Sequence, residues 1–160
     1  MNDIFFDCSS LITLDLSSFN TINVEYMNFM FMGCFSLRSI NLSSFNTINV
    51  INMSNMFFCC ESLKHLDLSS FKTPNLVGMD CIFNGCTQLE SIDMTNFTTI
   101  NVKMGIEIEK TAMLTGLNLP LFNMDNNSIF RNIFGGCYSL KNIKCNDKLI
   151  LDKFNQNKEL

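Results

Sequence analysis

Leu11, Leu14 and Leu16 follow the spacing L-x-x-L-x-L, in which alternate residues of a short strand point to one side. The spacing returns at Leu37, Ile40 and Leu42, at Leu63, Leu66 and Leu68, at Leu89, Ile92 and Met94, at Leu114, Leu117 and Leu119, and at Leu140, Ile143 and Cys145. Six short strands are therefore predicted, stacked in parallel at about 4.8 Å per strand. Between strands, Met27, Met30 and Phe31, then Met53, Met56 and Phe57, fall at separations of three and one. That spacing predicts a short helical turn.

The pattern has a fixed period. LSSFNTINV occurs unchanged at residues 16–24 and 42–50, 26 positions apart. Cys8, Cys34, Cys60 and Cys86 keep the same step; the series then passes over Ala112 and resumes one residue early at Cys137. Phe19, Phe45, Phe71, Phe97 and Phe122 give one phenylalanine per unit, which predicts a stacked internal spine. Asn23, Asn49, Asn75, Asn101 and Asn126 form a parallel column. A buried turn is expected there, each amide satisfying backbone groups of its own coil and the next. An array of this kind buries a common core only by stacking neighbours.

The 160 residues suit one domain, with 47% apolar residues to supply a core. Eleven basic against fifteen acidic side chains give a net charge of −4, which disfavours a nucleic-acid backbone. No apolar run is long enough to span a membrane. The start, MNDIFFDCSS, has neither the charged nor the apolar region of an export signal, so no leader is expected in this chain. The expected fold is an α/β, leucine-rich-repeat-type β/α solenoid with one parallel sheet and five to six coils of about 26 residues. It would fill residues 1–147 as a single domain, followed by a polar tail, 148–160, that frays.

Eight cysteines admit two readings, a disulfide scaffold or a reduced ladder of small buried hydrophobes. Five at one repeated position, Cys8, Cys34, Cys60, Cys86 and Cys137, favour the ladder. Cys145 takes a core leucine slot, Cys59 a glycine-type slot, and Cys81, in a variable slot, is the expected exposed thiol. No metal or cofactor is expected: no C-x-x-C occurs, and His65 is the sole histidine. Nor is there a nucleophile elbow, a zinc-protease helix motif or a phosphate-cradling glycine loop. The aspartates Asp15, Asp67 and Asp93, in a column with Asn41 and Asn118, face out on an open sheet, which supplies neither the water-poor pocket of acid/base chemistry nor an enclosing calcium cage.

The consensus M-x-x-M-F-x-G-C-x-S-L-x-x-L-D-L-S-S-F-N-T-x-N-V resembles the BspA-like leucine-rich-repeat surface proteins and the related 26-residue bacterial surface-protein repeat. The match spans roughly residues 4–145 and is best from Met27 to Val50. It departs from the commonest leucine-rich repeat in having Phe19 where Asn or Cys is usual. The resemblance implies a surface-exposed or secreted protein that binds other proteins, such as host matrix or cell-surface proteins. The absent leader departs from that pattern and keeps a cytoplasmic location open, with an intracellular protein-binding scaffold as the alternative function. The first coil has no capping segment, which allows end-to-end association through it.

The expected binding surface is the outer strand face: Thr13, Asp15 and Ser17; Ser39, Asn41 and Ser43; His65, Asp67 and Ser69; Ser91, Asp93 and Thr95. It is polar, mildly acidic and without Tyr, Trp or Arg anchors, so binding should be weak or multivalent. Pro120 and Lys144 are expected to end the pattern. From Val102 the alternation of Val102, Met104, Ile106 and Ile108 reads as a strand, and a local recognition bulge there would expose Glu107 and Glu109.

Overall fold

A computed structural model describes residues 1–102 and 133–158. Five strands occur where the leucine spacing places them: β1 (Thr13–Asp15), β2 (Ser39–Asn41), β3 (His65–Asp67), β4 (Ser91–Met94) and β5 (Asn142–Cys145). All pairings are parallel and join equivalent positions of the repeat, Leu14 with Ile40, Leu66 with Ile92 and Ile92 with Ile143. The described residues form a β/α repeat-type fold of short parallel strands with one helix among them, α1 (Lys148–Lys158).

The strands form two sheets and not the single one expected: β1-β2, and β3-β4-β5. Around the sheets the chain makes one repeated backbone bond per coil, Arg38 N–H to Ile12 C=O (2.8 Å), Glu90 to Lys64 (2.8 Å) and Lys141 to Glu90 (3.1 Å). The step from Lys64 to Arg38 is missing from this series. Its two side chains are both cations, and like charges side by side oppose close pairing.

The stacking order also departs from the order of the units in the sequence. β5 pairs directly with β4, Ile143 opposite Ile92 and Cys145 opposite Met94, so no fifth strand stands between them. The core contacts agree: the Phe134 ring stacks on Phe83 at 5.7 Å. Leu114, Leu117, Leu119, Pro120, Phe122 and Asn126, together with Glu107 and Glu109, lie outside the described residues.

The arcs opposite the strands are not helical. A helix would use its N–H groups internally, whereas alternate N–H groups here donate to the next coil: Met27 to Asn52, Phe29 to Ser54, Phe31 to Met56 and Gly33 to Phe58, at 2.9–3.1 Å. Two positions per coil hold left-handed φ angles that break any helix. One column is Asp3 (58°), Phe29 (59°), Asn55 (59°) and Cys81 (51°). The other is Asp7 (54°), Gly33 (76°), Cys59 (58°), Gly85 (79°) and Gly136 (72°). Cys59 thus stands in the glycine slot by adopting the glycine conformation.

Two phenylalanine spines run through the stack. Phe45, Phe71 and Phe97 stack at 6.1 and 6.0 Å, as the sequence column predicts, while Phe19 is half-buried and tilted against Phe5. On the arc side Phe5, Phe31, Phe57, Phe83 and Phe134 stack at 5.3–5.9 Å. Phe154 of α1 closes this second spine edge-on at 6.1 Å. The segment expected to fray is therefore a helix: Ile150 and Phe154, one turn apart, are buried, and Asp147 caps its start by accepting from the Leu149 and Ile150 N–H groups at 3.0 and 3.3 Å.

Candidate functional site: an open strand face and a flank groove

The twelve residues of the expected strand face lie along or just after β1 to β4, divided between the two sheets. Thr13, Asp15, Ser17, Ser39, Asn41, Ser43, His65 and Asp67 are exposed, and Ser69, Ser91, Asp93 and Thr95 are half-buried. Its Asp/Asn column has a local structural duty. In each coil the side-chain oxygen accepts the N–H two residues on and turns the chain out of its strand: Asp15 from Ser17 (2.9 Å), Asn41 from Ser43 (3.1 Å), Asp67 from Ser69 (2.8 Å) and Asp93 from Thr95 (3.0 Å). The Ser43 and Thr95 hydroxyls donate to the same oxygens.

Lys144 does not end the pattern. It lies on β5 and bridges to Asp93 at 2.8 Å, extending the face by one coil. Partial burial pushes the Asp93 carboxyl up, but hydrogen bonds from Lys144 and Thr95 outweigh it and hold the group below its ordinary value. Asp15 is lowered by the backbone and hydroxyl bonds of Ser17. The hydrogen bond to Asp93 raises Lys144. His65 Nδ1 meets Ser91 Oγ at 2.9 Å on the exposed face. Among the described residues no group of three or more His, Cys, Asp or Glu side chains could hold a metal ion.

Four of the ladder cysteines are thiols that each donate to a phenylalanine carbonyl. Cys34, Cys60, Cys86 and Cys137 donate to the carbonyls of Phe5, Phe31, Phe57 and Phe83 at 3.2, 3.2, 3.1 and 3.0 Å, each one coil back in the stack. Burial pushes Cys34 and Cys137 up to about 12, and Cys60 and Cys86 well above the ordinary value. Thiolate chemistry is suppressed at all four. Cys8 is half-buried. Cys81, expected to be exposed, is fully buried, because its left-handed backbone turns the side chain into the arc.

The asparagine column is exposed and not buried. Its amides still tie the coils: Asn49, Asn75 and Asn101 donate from Nδ2 to the carbonyls of Ile22, Ile48 and Pro74 at 2.8, 2.9 and 2.9 Å. The buried polar turn belongs to a column that the sequence reading passed over, Thr21, Thr47, Thr73 and Thr99. Thr21, Thr47 and Thr73 donate to Asn46, Lys72 and Thr98 carbonyls in the next coil at 2.9, 2.9 and 3.0 Å. Thr99 ends the ladder on the Asp147 carboxylate, through its N–H and its hydroxyl at 2.7 Å each. The 26-residue recurrence of these threonines was the available signal.

Beside this turn runs a groove of about 640 Å³, lined by Asn23, Glu25, Asn49, Ile51, Asn75 and Val77 and crossing three coils. The sequence reading missed it because its walls come from positions separated by one full period.

These features define a repeat protein whose surfaces are built from equivalent positions of stacked coils. The chain belongs to the family described as "Mycoplasma protein of unknown function, DUF285", whose model matches residues 1–117 and, in an overlapping placement, 32–147. No curated protein and no solved structure matches it. Among the described residues no helix is long and apolar enough to cross a membrane.

Proposed function

We propose that the chain is a non-enzymatic, leucine-rich-repeat-type solenoid that binds protein partners through its strand face, as part of a surface-exposed or secreted protein of the BspA-like kind. The observation that carries this reading is the repetition of one rigid polar surface across successive coils, from Thr13 to Lys144. Each of the first four coils offers a turn-locked Asp or Asn with a hydroxyl residue two positions on, so the surface changes little on binding, and many weak contacts can add by avidity. The absence of aromatic anchors sets the single-site affinity low.

Two measurements test it. Antibody labelling of intact and permeabilised source cells tests location, and signal only after permeabilisation would count against the surface role. Binding of purified chain to matrix and cell-surface proteins should weaken when Ser39, Ser43 and His65 are replaced by glutamates. Equal binding by that variant would remove the strand face from the reading.

An intracellular protein-binding scaffold is the second reading, favoured by the thiol state of Cys34, Cys60, Cys86 and Cys137. Their burial and raised pKa values also protect them in an oxidising compartment, so the labelling experiment, and not thiol chemistry, separates the two.

A further inference from the structure

The break between the two sheets lies beside the strand face. Arg38 N–H donates to the Ile12 C=O, Glu90 N–H to the Lys64 C=O and Lys141 N–H to the Glu90 C=O, but Lys64 N–H donates to nothing and the Arg38 C=O across from it accepts nothing. The opening is local. Before it Ser62 N–H reaches the Phe35 C=O at 3.1 Å, and after it Ser70 Oγ reaches the Leu42 C=O at 3.3 Å, so the coils of β2 and β3 stay joined on both sides. Arg38 and Lys64 are exposed at equivalent positions of these two coils. Neither meets a carboxylate: among the described residues the one ion pair joins Lys144 to Asp93 at 2.8 Å, across neighbouring strands of the same face.

A group that fits this opening must bring an acceptor for the Lys64 N–H and a negative charge for two cations. A carboxylate does both: its two oxygens match the guanidinium fork and still leave lone pairs for an ammonium and a backbone N–H. It would do for Arg38 and Lys64 what Asp93 does for Lys144. Polyanions are disfavoured, because Glu61 and Asp67 are exposed on the same coil as Lys64, Glu90 lies half-buried on the next, and the chain carries a net charge of −4. The fitting charge is a single one, on a side chain whose neighbours are neutral.

We propose that this opening is the anchor point of the strand face and takes an aspartate or glutamate side chain of the protein partner, held by the Arg38 guanidinium, the Lys64 ammonium and the Lys64 N–H. The inference rests on the reading of the strand face as a protein-binding surface. It adds an arginine contact that the twelve face residues lack, since Arg38 stands one residue ahead of Ser39.

The test is an NMR titration of the isotope-labelled chain with sodium acetate and with two end-blocked peptides of serine and threonine that differ only in a central glutamate or glutamine. The glutamate peptide should shift the Lys64 amide and the Arg38 side chain and bind about fivefold more tightly than the glutamine peptide, the factor of an exposed charge pair. The double variant Arg38→Gln, Lys64→Gln should lose that preference while melting no lower than the parent, since it removes a like-charge pair from the surface. Lys72→Gln, whose side chain is exposed on another turn, should keep it. Equal binding of the two peptides, an absence of shifts at Lys64 and Arg38, or a preference unchanged in the double variant would each overturn the anchor. Acetate bound as tightly as the glutamate peptide would make the opening a site for free anions and overturn its assignment to a partner's side chain. The face reading is judged separately, by the binding of matrix and cell-surface proteins, so either can fail without the other.

Discussion

The buried threonine ladder is the contact most open to a clean perturbation, and Thr73 is its most informative rung. Its hydroxyl donates to the Thr98 carbonyl at 3.0 Å and accepts from the Thr98 N–H at 2.9 Å, so one oxygen closes two inter-coil bonds. Thr73→Val keeps the shape and removes both. Each bond contributes about 1 kcal/mol net, and stranding the two Thr98 backbone groups adds to the loss. The extra buried methyl returns about 0.8 kcal/mol. The expected cost is about 2 kcal/mol, a drop of roughly 4–8 °C in melting temperature for a chain of this size. Thr73→Ser keeps the hydroxyl and loses only a methyl, so it should cost about 1 kcal/mol and fall between the parent and the valine variant. Urea unfolding followed by circular dichroism gives the order, provided the slope is unchanged among the three, since repeat arrays depart from two-state behaviour when a coil uncouples. A valine variant within about 0.5 kcal/mol of the parent would refute the view that this hydroxyl, and not the packing of its methyl, holds coils three and four together.

Other expectations follow from the same geometry. Gly85→Ala should cost about 1–3 kcal/mol, since residue 85 has φ +79° and a new Cβ would lie 2.8 Å from Cys59 Sγ and 3.3 Å from Cys59 Cα; pairing it with Cys59→Gly should recover part of the loss, and a double-mutant cycle reads the coupling. Phe57→Ala removes a ring stacked on both Phe31 and Phe83 and should cost about 3–5 kcal/mol in the same unfolding assay. For the buried thiols Cys34, Cys60, Cys86 and Cys137 the folded pKa lies above the unfolded one, so the unfolded chain releases protons first as pH rises. Their contribution is present below about pH 9 and is lost from there toward pH 12. Melting temperature should decline over that window, and Cys86→Ala should flatten the decline. The Asp93 carboxyl, held low against Lys144 and Thr95, should titrate nearer its ordinary value in Lys144→Ala, as NMR pH titration of its side-chain carbon would show.

Much of the fold could be read from the period. The residues at the centres of the strands, Leu14, Ile40, Leu66, Ile92 and Ile143, are the middle positions of the leucine spacing, and Phe45, Phe71 and Phe97 stack as their column implies. The arcs are not legible in the sequence for a definite reason. Met27, Met30 and Phe31 mark which side chains go inward but not where the N–H groups point, and a left-handed φ at Phe29, Asn55 or Cys81 leaves no glycine in the sequence to announce it. Stacking order was illegible for a related reason: the Cys86 unit can seat either of two similar units above it, and Phe134, Cys137 and Ile143 take the place beside Phe83, Cys86 and Ile92. The asparagine column reads as buried in the sequence because its periodicity resembles that of a core residue. Only the geometry separates it from Thr21, Thr47 and Thr73, which recur with the same step.

The local duty of the face residues also limits what the face can do. Asp15, Asn41 and Asp67 each spend one side-chain oxygen on the turn that ends their strand, and Asp93 spends both, on Thr95 and on Lys144. A partner therefore meets one remaining acceptor on Asp15 and on Asp67, the amide donor of Asn41, and neighbouring hydroxyls. That is too few unpaired groups in any coil for the buried, desolvated contacts that dominate tight complexes. Repetition raises the number of such contacts without raising the strength of any one. A partner that spans several coils gains by effective concentration, and a partner that meets one coil gains almost nothing. Affinity for a protein ligand should accordingly fall steeply as the ligand is shortened below the length of the face. A short peptide that bound as tightly as the whole ligand would point to a single pocket and away from the strand face.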